Sequence, residues 1–336
     1  MNLVASHHWM REEVLERSLE RLVHCGYDAV VLLLDEPHRD PSVVRPALER
    51  FGLRCHGVVA LAGPGKDLAS PDPVARSKGR DELASCLDFC AELGGAVVPV
   101  VPRPVGLLQP TAAPAREWEW LRDGLAQGSR LAGQRGLRLG VEALNRFEGY
   151  LFNTCADVLA MADEIEEPAF GVVLDAFHMN IEEQDLAAAV LNAGDRLIDF
   201  QVADSNRAAP GRGHIDWPSL AAALGAIDYQ GALTAEIVPP ALASEAIGRS
   251  LARRRAAAVD ERRRRSGVRG ATCADRGLPA PLGLGIDLRP LTGRSTYHYV
   301  VSAQQTRCPS SGRRAERLGG RHGEPAGTAP RRSDGL

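Results

Sequence analysis

A chain of 336 residues with an apolar share of 44% can bury a sizeable core as one large domain or two ordinary ones. Its charge is unevenly spread: from Leu251 onward stand 18 Arg, no Lys and 7 acidic residues, a net of +11, which leaves 22 basic and 36 acidic residues, a net of −14, in residues 1–250. So acidic a body repels phosphate backbones, which excludes nucleic acid as its partner and suits carboxylate-rich metal sites.

Short apolar runs alternate with longer helical patterns through this body. In chain order, strands are predicted at 2–5, 28–34, 54–61, 96–101, 137–143, 170–176, 197–203 and 232–237, and helices near 11–25, 41–51, 72–93, 113–134, 154–165, 184–193, 217–227 and 241–264. Pro41 suits a first helical turn, Thr154 precedes an alanine- and leucine-rich amphipathic run, and Asp216 is placed to cap the helix that begins at Trp217. Eight strands each followed by a helix, in about 260 residues, fit an α/β fold of the (β/α)8 TIM-barrel type better than an open sheet. The barrel domain is assigned to residues 1–264. Residues 265–336 form a basic tail rich in Arg, Gly, Pro, Ser and Ala, with little periodicity beyond Tyr297-His298-Tyr299-Val300-Val301. Disorder is its leading reading, because such a segment buries too little apolar surface to offset its ordering entropy. A tail that binds nucleic acid or acidic partners and an out-of-frame end of the gene stay open beside it.

Seven cysteines without a CxxC pair or zinc-like spacing read as reduced, buried small residues, and Cys86 and Cys90, four apart, share a helix face. No apolar run approaches the roughly 18 residues of a membrane span, and the N-terminal stretch lacks the basic region and long apolar core of a signal peptide. The expectation is a cytoplasmic protein with no membrane partner.

The chemistry gathers at predicted strand ends, where a parallel barrel binds its ligands. The segment Gly140-Val141-Glu142-Ala143-Leu144-Asn145-Arg146-Phe147-Glu148 brings Glu142 to the end of the fifth strand and Glu148 into the loop beyond it. The sixth strand delivers Asp175, followed by Ala176, Phe177 and His178; the seventh continues into Gln201; the eighth delivers Glu236. Glu142, Asp175, Gln201 and Glu236 are thus predicted at one level of the mouth. Three carboxylates there repel one another unless a hard divalent cation sits among them, and an all-oxygen set suits Mn2+ or Mg2+ better than zinc.

The stretch ending at Glu148, then Leu174-Asp175-Ala176-Phe177-His178-Met179-Asn180, then Ala203-Asp204-Ser205-Asn206-Arg207 with Pro210-Gly211-Arg212-Gly213-His214-Ile215-Asp216-Trp217, resemble the signature segments of the ketose 3-epimerases, the tagatose and psicose epimerase group of the xylose-isomerase-like barrels. The resemblance covers roughly residues 1–262 and is strongest over 140–237. It implies that Glu142, Asp175 and Glu236 bind a divalent metal, Mn2+ or Mg2+ with Co2+ also admitted, and that Glu142 and Glu236 form the acid/base pair. Glu148, His178 and Arg207 match positions that hold the substrate near its carbonyl and first hydroxyls, and His7, His8 and Trp9 fall near a wall of the sugar pocket. A small-molecule sugar substrate and a homo-oligomer, dimer or tetramer, are implied in the same way. One position departs: the family's fourth metal ligand is normally histidine, and Gln201 stands here. Its amide oxygen is as neutral as an imidazole, so retention of the metal site stands beside the alternative of a damaged or repurposed one.

Epimerising a ketose beside its carbonyl means removing a weakly acidic proton and returning one to the opposite face. A divalent ion stabilises the enediolate, two carboxylates alternate as base and acid, and His178 and Arg207 donate to oxygens where charge develops. The competing expectations are an aldose–ketose isomerase of the hydroxypyruvate or xylose type and a sugar- or metal-binding barrel without catalysis. A DNA-repair endonuclease needs a histidine-rich zinc cluster and a basic groove, which this body lacks. Few basic residues lie near the motifs, essentially Arg146, Arg207 and Arg212, which favours an unphosphorylated substrate.

Overall fold

Runs such as the valine-rich Val97–Val101 are buried along their whole length, as strands must be when helices cover one face and a barrel interior the other. The computed structural model describes residues 3–6, 14–33, 40–237, 284–286 and 301–303. Eight parallel strands, β1 (Leu3–Ser6), β2 (Ala29–Leu33), β3 (Arg54–Leu61), β4 (Val97–Val101), β5 (Arg138–Glu142), β6 (Phe170–Asp175), β7 (Leu197–Val202) and β8 (Leu233–Ala235), close into a barrel in chain order, with β8 pairing β1. Around it run α1 (Leu15–His24), α2 (Pro41–Phe51), α3 (Pro73–Glu92), α4 (Pro114–Gln134), α5 (Cys155–Ile165), α6 (Ala176–Glu182), α7 (Leu186–Ala193) and α8 (Trp217–Ala226). This is the predicted (β/α)8 TIM barrel.

The helix starts follow local chemistry. Asp40 accepts from Ser42 N at 2.8 Å ahead of Pro41, Thr154 and Asp157 form a reciprocal capping box, and Asp216 accepts from Ser219 N at 3.3 Å. Cys86 and Cys90 are buried on α3, as their spacing predicts. The short α6 has no counterpart among the predicted helices: its seven residues leave β6 directly, and Asp175 caps it by accepting from Phe177 N at 2.7 Å. Within the basic tail, β9 (Leu284–Ile286) and β10 (Val301–Ala303) pair as an antiparallel ribbon; the rest of the tail, the predicted helix at 241–264, and His7, His8 and Trp9 lie outside the described residues. No described helix is long and apolar enough to cross a membrane.

The barrel interior is closed below the mouth by one close approach. β7 shifts register between Leu197, which pairs with Val172, and Asp199, which pairs with Val173, so Ile198 bulges toward β5 and β6. A Cβ on Gly171 would stand 2.2 Å from Ile198 Cγ2 and 2.7 Å from the Arg196 carbonyl, and one on Gly140 2.6 Å from Ile198 Cδ1. Gly171→Ala is therefore expected to destabilise the barrel by about 1–3 kcal/mol in urea denaturation, with part of the loss recovered by adding Ile198→Ala. An unchanged midpoint would show that the bulge yields freely.

Candidate active site

Strand register sets the height of each site residue. Glu142 pairs with Val173, one pleat repeat below Asp175; Asp175 pairs with Gln201; Gln201 pairs with Thr234, one repeat below Glu236. The four residues climb around the mouth instead of standing at one level as predicted, because closing a barrel staggers neighbouring strands. Side-chain reach closes the difference. One terminal atom of the Gln201 amide lies 3.1 Å from Glu142 Oε1 and 2.6 Å from Glu236 Oε2, and ligand atoms of Glu142, Asp175 and His178 lie within 4.8 Å of one another.

Glu142, Asp175 and Glu236 are all buried. Burial, then Glu236 and Asp175, pushes the Glu142 carboxyl well above the usual carboxylate range against the opposing Arg207. Burial likewise pushes Asp175 up to about 7, even though Arg207 Nη1 pairs with its Oδ2. The second arm of that guanidinium lies 3.7 Å from Glu236 Oε1. For Arg207 itself burial works against the charge, but Asp175, Glu236, Glu148 and Glu142 outweigh it and hold the guanidinium charged. One guanidinium among three buried carboxylates leaves an excess of negative charge, and the amide oxygen of Gln201 is available to complete an all-oxygen set. This donor set fits a hard divalent cation.

The raised carboxyls fix a sign for stability. A group whose folded pKa lies above its unfolded one stabilises fully below the unfolded value and loses that contribution as pH rises through the folded one. Asp175, moved from 3.8 to about 7, and Glu142, moved in the same direction, therefore weaken the cation-free fold as the solution becomes alkaline. His178, held well below 6.5 by burial and then by Arg207, acts oppositely but only below that value. The chelator-treated protein is expected to melt at lower temperature at pH 8 than at pH 6.5, by roughly a few degrees, with the slope reduced by added Mn2+. A flat or rising melting temperature over that window would contradict the raised carboxyls.

His178 is positioned by Asn145, a residue of the loop after β5. The Asn145 backbone N–H donates to His178 Nδ1 at 3.2 Å, while its side-chain Nδ2 lies 2.7 Å from that nitrogen and donates to Glu148 Oε1 at 3.0 Å. An Nδ1 that accepts leaves the proton of a neutral imidazole on Nε2. Nε2 faces the site, 3.6 Å from Glu142 Oε1 and 3.1 Å from Arg207 Nη2. Two donors, His178 Nε2–H and Arg207 Nη2, thus face each other, and among the described residues Arg207 Nε is buried with no partner. An oxygen-rich ligand answers all three.

Arg207 reaches this place from a strained backbone, with φ at 60°. Asp204 holds the loop that imposes it: Arg207 N donates to its carbonyl at 2.7 Å, and its buried carboxylate accepts from Ser205 N at 2.8 Å, Gly211 N at 2.7 Å and Trp217 Nε1 at 3.0 Å. Burial would raise the Asp204 carboxyl, but these donors keep it below the ordinary range.

A solvent-open cleft of about 360 Å³ runs beside Glu142 and Glu148, walled by Arg103, Leu107, Leu144 and Tyr150 among others. Its wall is braced by a buried polar network. Arg103 donates from Nε and Nη2 to Asp67, at 3.2 and 3.0 Å, and from Nη2 to Thr111 Oγ1 at 3.0 Å; its Nη1 lies 2.9 Å from Glu117 Oε2 and contacts the Tyr150 hydroxyl, which also bonds Glu117. Glu117 Oε1 accepts from Thr111 and Ala112, and Gly106 N donates to the Glu148 carbonyl at 2.8 Å, so the loops after β4 and β5 hold each other.

Each predicted site residue from Glu142 to Glu236 therefore converges on one mouth. Asn145, Asp204 and the Arg103–Glu117 network carry no predicted role; an Asn three positions before Glu148 is the one local pattern that foreshadows such a brace.

Residues 19–255 match the family model described as "Xylose isomerase-like TIM barrel". The chain is 32% identical over 238 residues to the L-ribulose 3-epimerase of Methylomonas sp. (strain DH-1), covering 68% of this chain and 82% of that one. It is 30% identical over 227 residues to the D-psicose 3-epimerase of Agrobacterium fabrum (strain C58), covering 65% and 77%. The crystal structure of a Methylomonas sp. D-allulose 3-epimerase in complex with D-allulose superposes with a TM-score of 0.64 at 28% identity, covering 70% of this chain and 84% of that one. These likenesses place the protein among isomerase-class enzymes and not among barrels without catalysis. The chain belongs to the ketose 3-epimerase group of the xylose isomerase-like TIM-barrel family.

Proposed function

We propose that residues 1–264 form a divalent-metal-dependent epimerase that inverts a free ketose at carbon 3, next to its carbonyl. The observation that carries this reading is the convergence of Glu142 and Glu236, from β5 and from the end of β8, on one Gln201 amide atom, at 3.1 and 2.6 Å. Two carboxylates so held can serve opposite faces of one carbon, one taking the proton and the other returning one, and they exchange roles when the reaction runs backward. His178 Nε2–H and Arg207 donate to the oxygens where the enediolate charge develops, from a buried site where such donors count for more than in water. Glu148, braced by Asn145 and facing the cleft, accepts from substrate hydroxyls. Glu142, Asp175, Gln201 and Glu236 hold the metal, Mn2+ or Mg2+ by the hardness of the donors, and the metal supplies Lewis-acid polarisation of the carbonyl when bound.

An unphosphorylated sugar is favoured because Arg103, Arg146 and Arg207 each already answer carboxylates: Asp67 and Glu117, Glu182, and Asp175 with Glu236. The test is a screen of free ketopentoses and ketohexoses with Mn2+ added, read by NMR of the products. The 3-epimer of at least one ketose is expected, and chelation is expected to stop its formation. Turnover of ketose phosphates alone, or turnover indifferent to chelator, would overturn the reading.

A further inference from the structure

Gln201 is the one residue among the four site ligands that can present either a donor or an acceptor without moving its backbone, because a half-turn of its terminal torsion exchanges NH2 for oxygen. It is buried, and its terminal atom lies within hydrogen-bonding distance of both the Glu142 and the Glu236 carboxylates. With oxygen on that side and both carboxyls ionised, an amide carbonyl meets Glu142 Oε1 and Glu236 Oε2 as three acceptors together, an arrangement that a cation satisfies. With NH2 on that side, the same 3.1 and 2.6 Å contacts become charge-assisted hydrogen bonds to both glutamates. Arg207 pairs with Asp175 and lies 3.7 Å from Glu236, and His178 Nε2 stands 3.6 Å from Glu142, so in the cation-free protein the amide is the direct hydrogen-bond bridge from Glu142 to Glu236.

We infer that Gln201 works as a two-state residue: NH2 inward, it staples the Glu142–Glu236 pair together while the site holds no cation, and oxygen inward, it becomes the neutral fourth ligand. The inference rests on the metal-dependent reading above and assigns the amide a second task that a ligand role does not require. A histidine at this place presents one ring nitrogen to the mouth and bridges one carboxylate, not two. The staple therefore keeps the acid/base pair assembled before metal arrives, at some expense in metal affinity.

The test uses the full chain labelled with 15N, at mildly alkaline pH. In chelator, the Gln201 side-chain NH2 resonances, assigned by their loss in Gln201→Met, are expected to be shifted downfield and protected from exchange. On titration with diamagnetic Mg2+ they are expected to move and to lose that protection. In parallel, Gln201→Met is expected to lower the melting temperature of the chelator-treated protein by several degrees and to weaken Mn2+ binding by about tenfold or more in calorimetry. An NH2 signal that is unprotected in chelator, or that Mg2+ leaves in place, overturns the inference on the parent chain alone, whatever the variant does. An unchanged melting temperature for folded Gln201→Met overturns it as well. Failure of the parent to bind Mn2+ at millimolar concentration would instead remove the metal-dependent reading, and the chelator measurements would still read the staple.

Discussion

Glu142→Gln is expected to lower turnover by at least about 10²–10⁴-fold while leaving the fold as stable as the parent or more so. The two outcomes have one cause. Glu142 sits buried beside Glu236 and Asp175, which push its carboxyl well above the ordinary range, so a neutral side chain of the same shape relieves repulsion in the cation-free fold. The same neutrality removes the group proposed to take or return the proton. Glu236→Gln shares the loss of turnover. Initial rates with Mn2+ present and melting curves in chelator check the pair of effects; turnover within about tenfold of the parent would take Glu142 out of proton transfer.

Arg103→Met is expected to cost about 3–5 kcal/mol of stability, the largest structural loss argued for this chain. Arg103 is buried with two carboxylates, Asp67 and Glu117, and Glu117 is wholly enclosed. Removing the cation leaves two buried carboxylates without a counter-charge, and the Thr111 hydroxyl and the Tyr150 phenol each lose a donor. Because Arg103 and Tyr150 also wall the cleft beside Glu148, KM for the sugar should rise along with the loss of stability. Urea denaturation measures the first effect, and Arg103→Met combined with Glu117→Gln should recover part of it by leaving one buried charge fewer unpaired. A cost below about 1 kcal/mol would mean that water reaches the network and replaces the guanidinium.

Much of this was legible before any coordinates. Strands such as Val97–Val101 are buried on both sides and read as unbroken apolar runs, and Thr154, Pro41 and Asp216 signal helix starts through local bonds of a few residues. The strand-end residues Glu142, Asp175, Gln201 and Glu236 are legible for the same reason: each lies at or next to the C-terminal end of its strand. Their relative height was not, because the stagger between β5 and β6, and between β7 and β8, is a property of barrel closure and leaves no mark within one strand. Helix α6 escapes because it is too short to show a period and begins directly after the last residue of β6. Asn145 and Arg103 escaped because their partners stand far off in sequence, His178 for the first and Asp67 and Tyr150 for the second. Asp204 escaped because its partners are backbone amides that any sequence offers.

The proposed role of Glu142 and Glu236 is proton exchange at the carbon beside the ketose carbonyl. Turnover in deuterated water, followed by NMR of substrate and product, tests it directly. Deuterium is expected at carbon 3 of the epimerised product, abolished in Glu142→Gln and in Glu236→Gln. Deuterium at carbon 1 or carbon 2 with none at carbon 3 would contradict it and assign the site to aldose–ketose isomerisation.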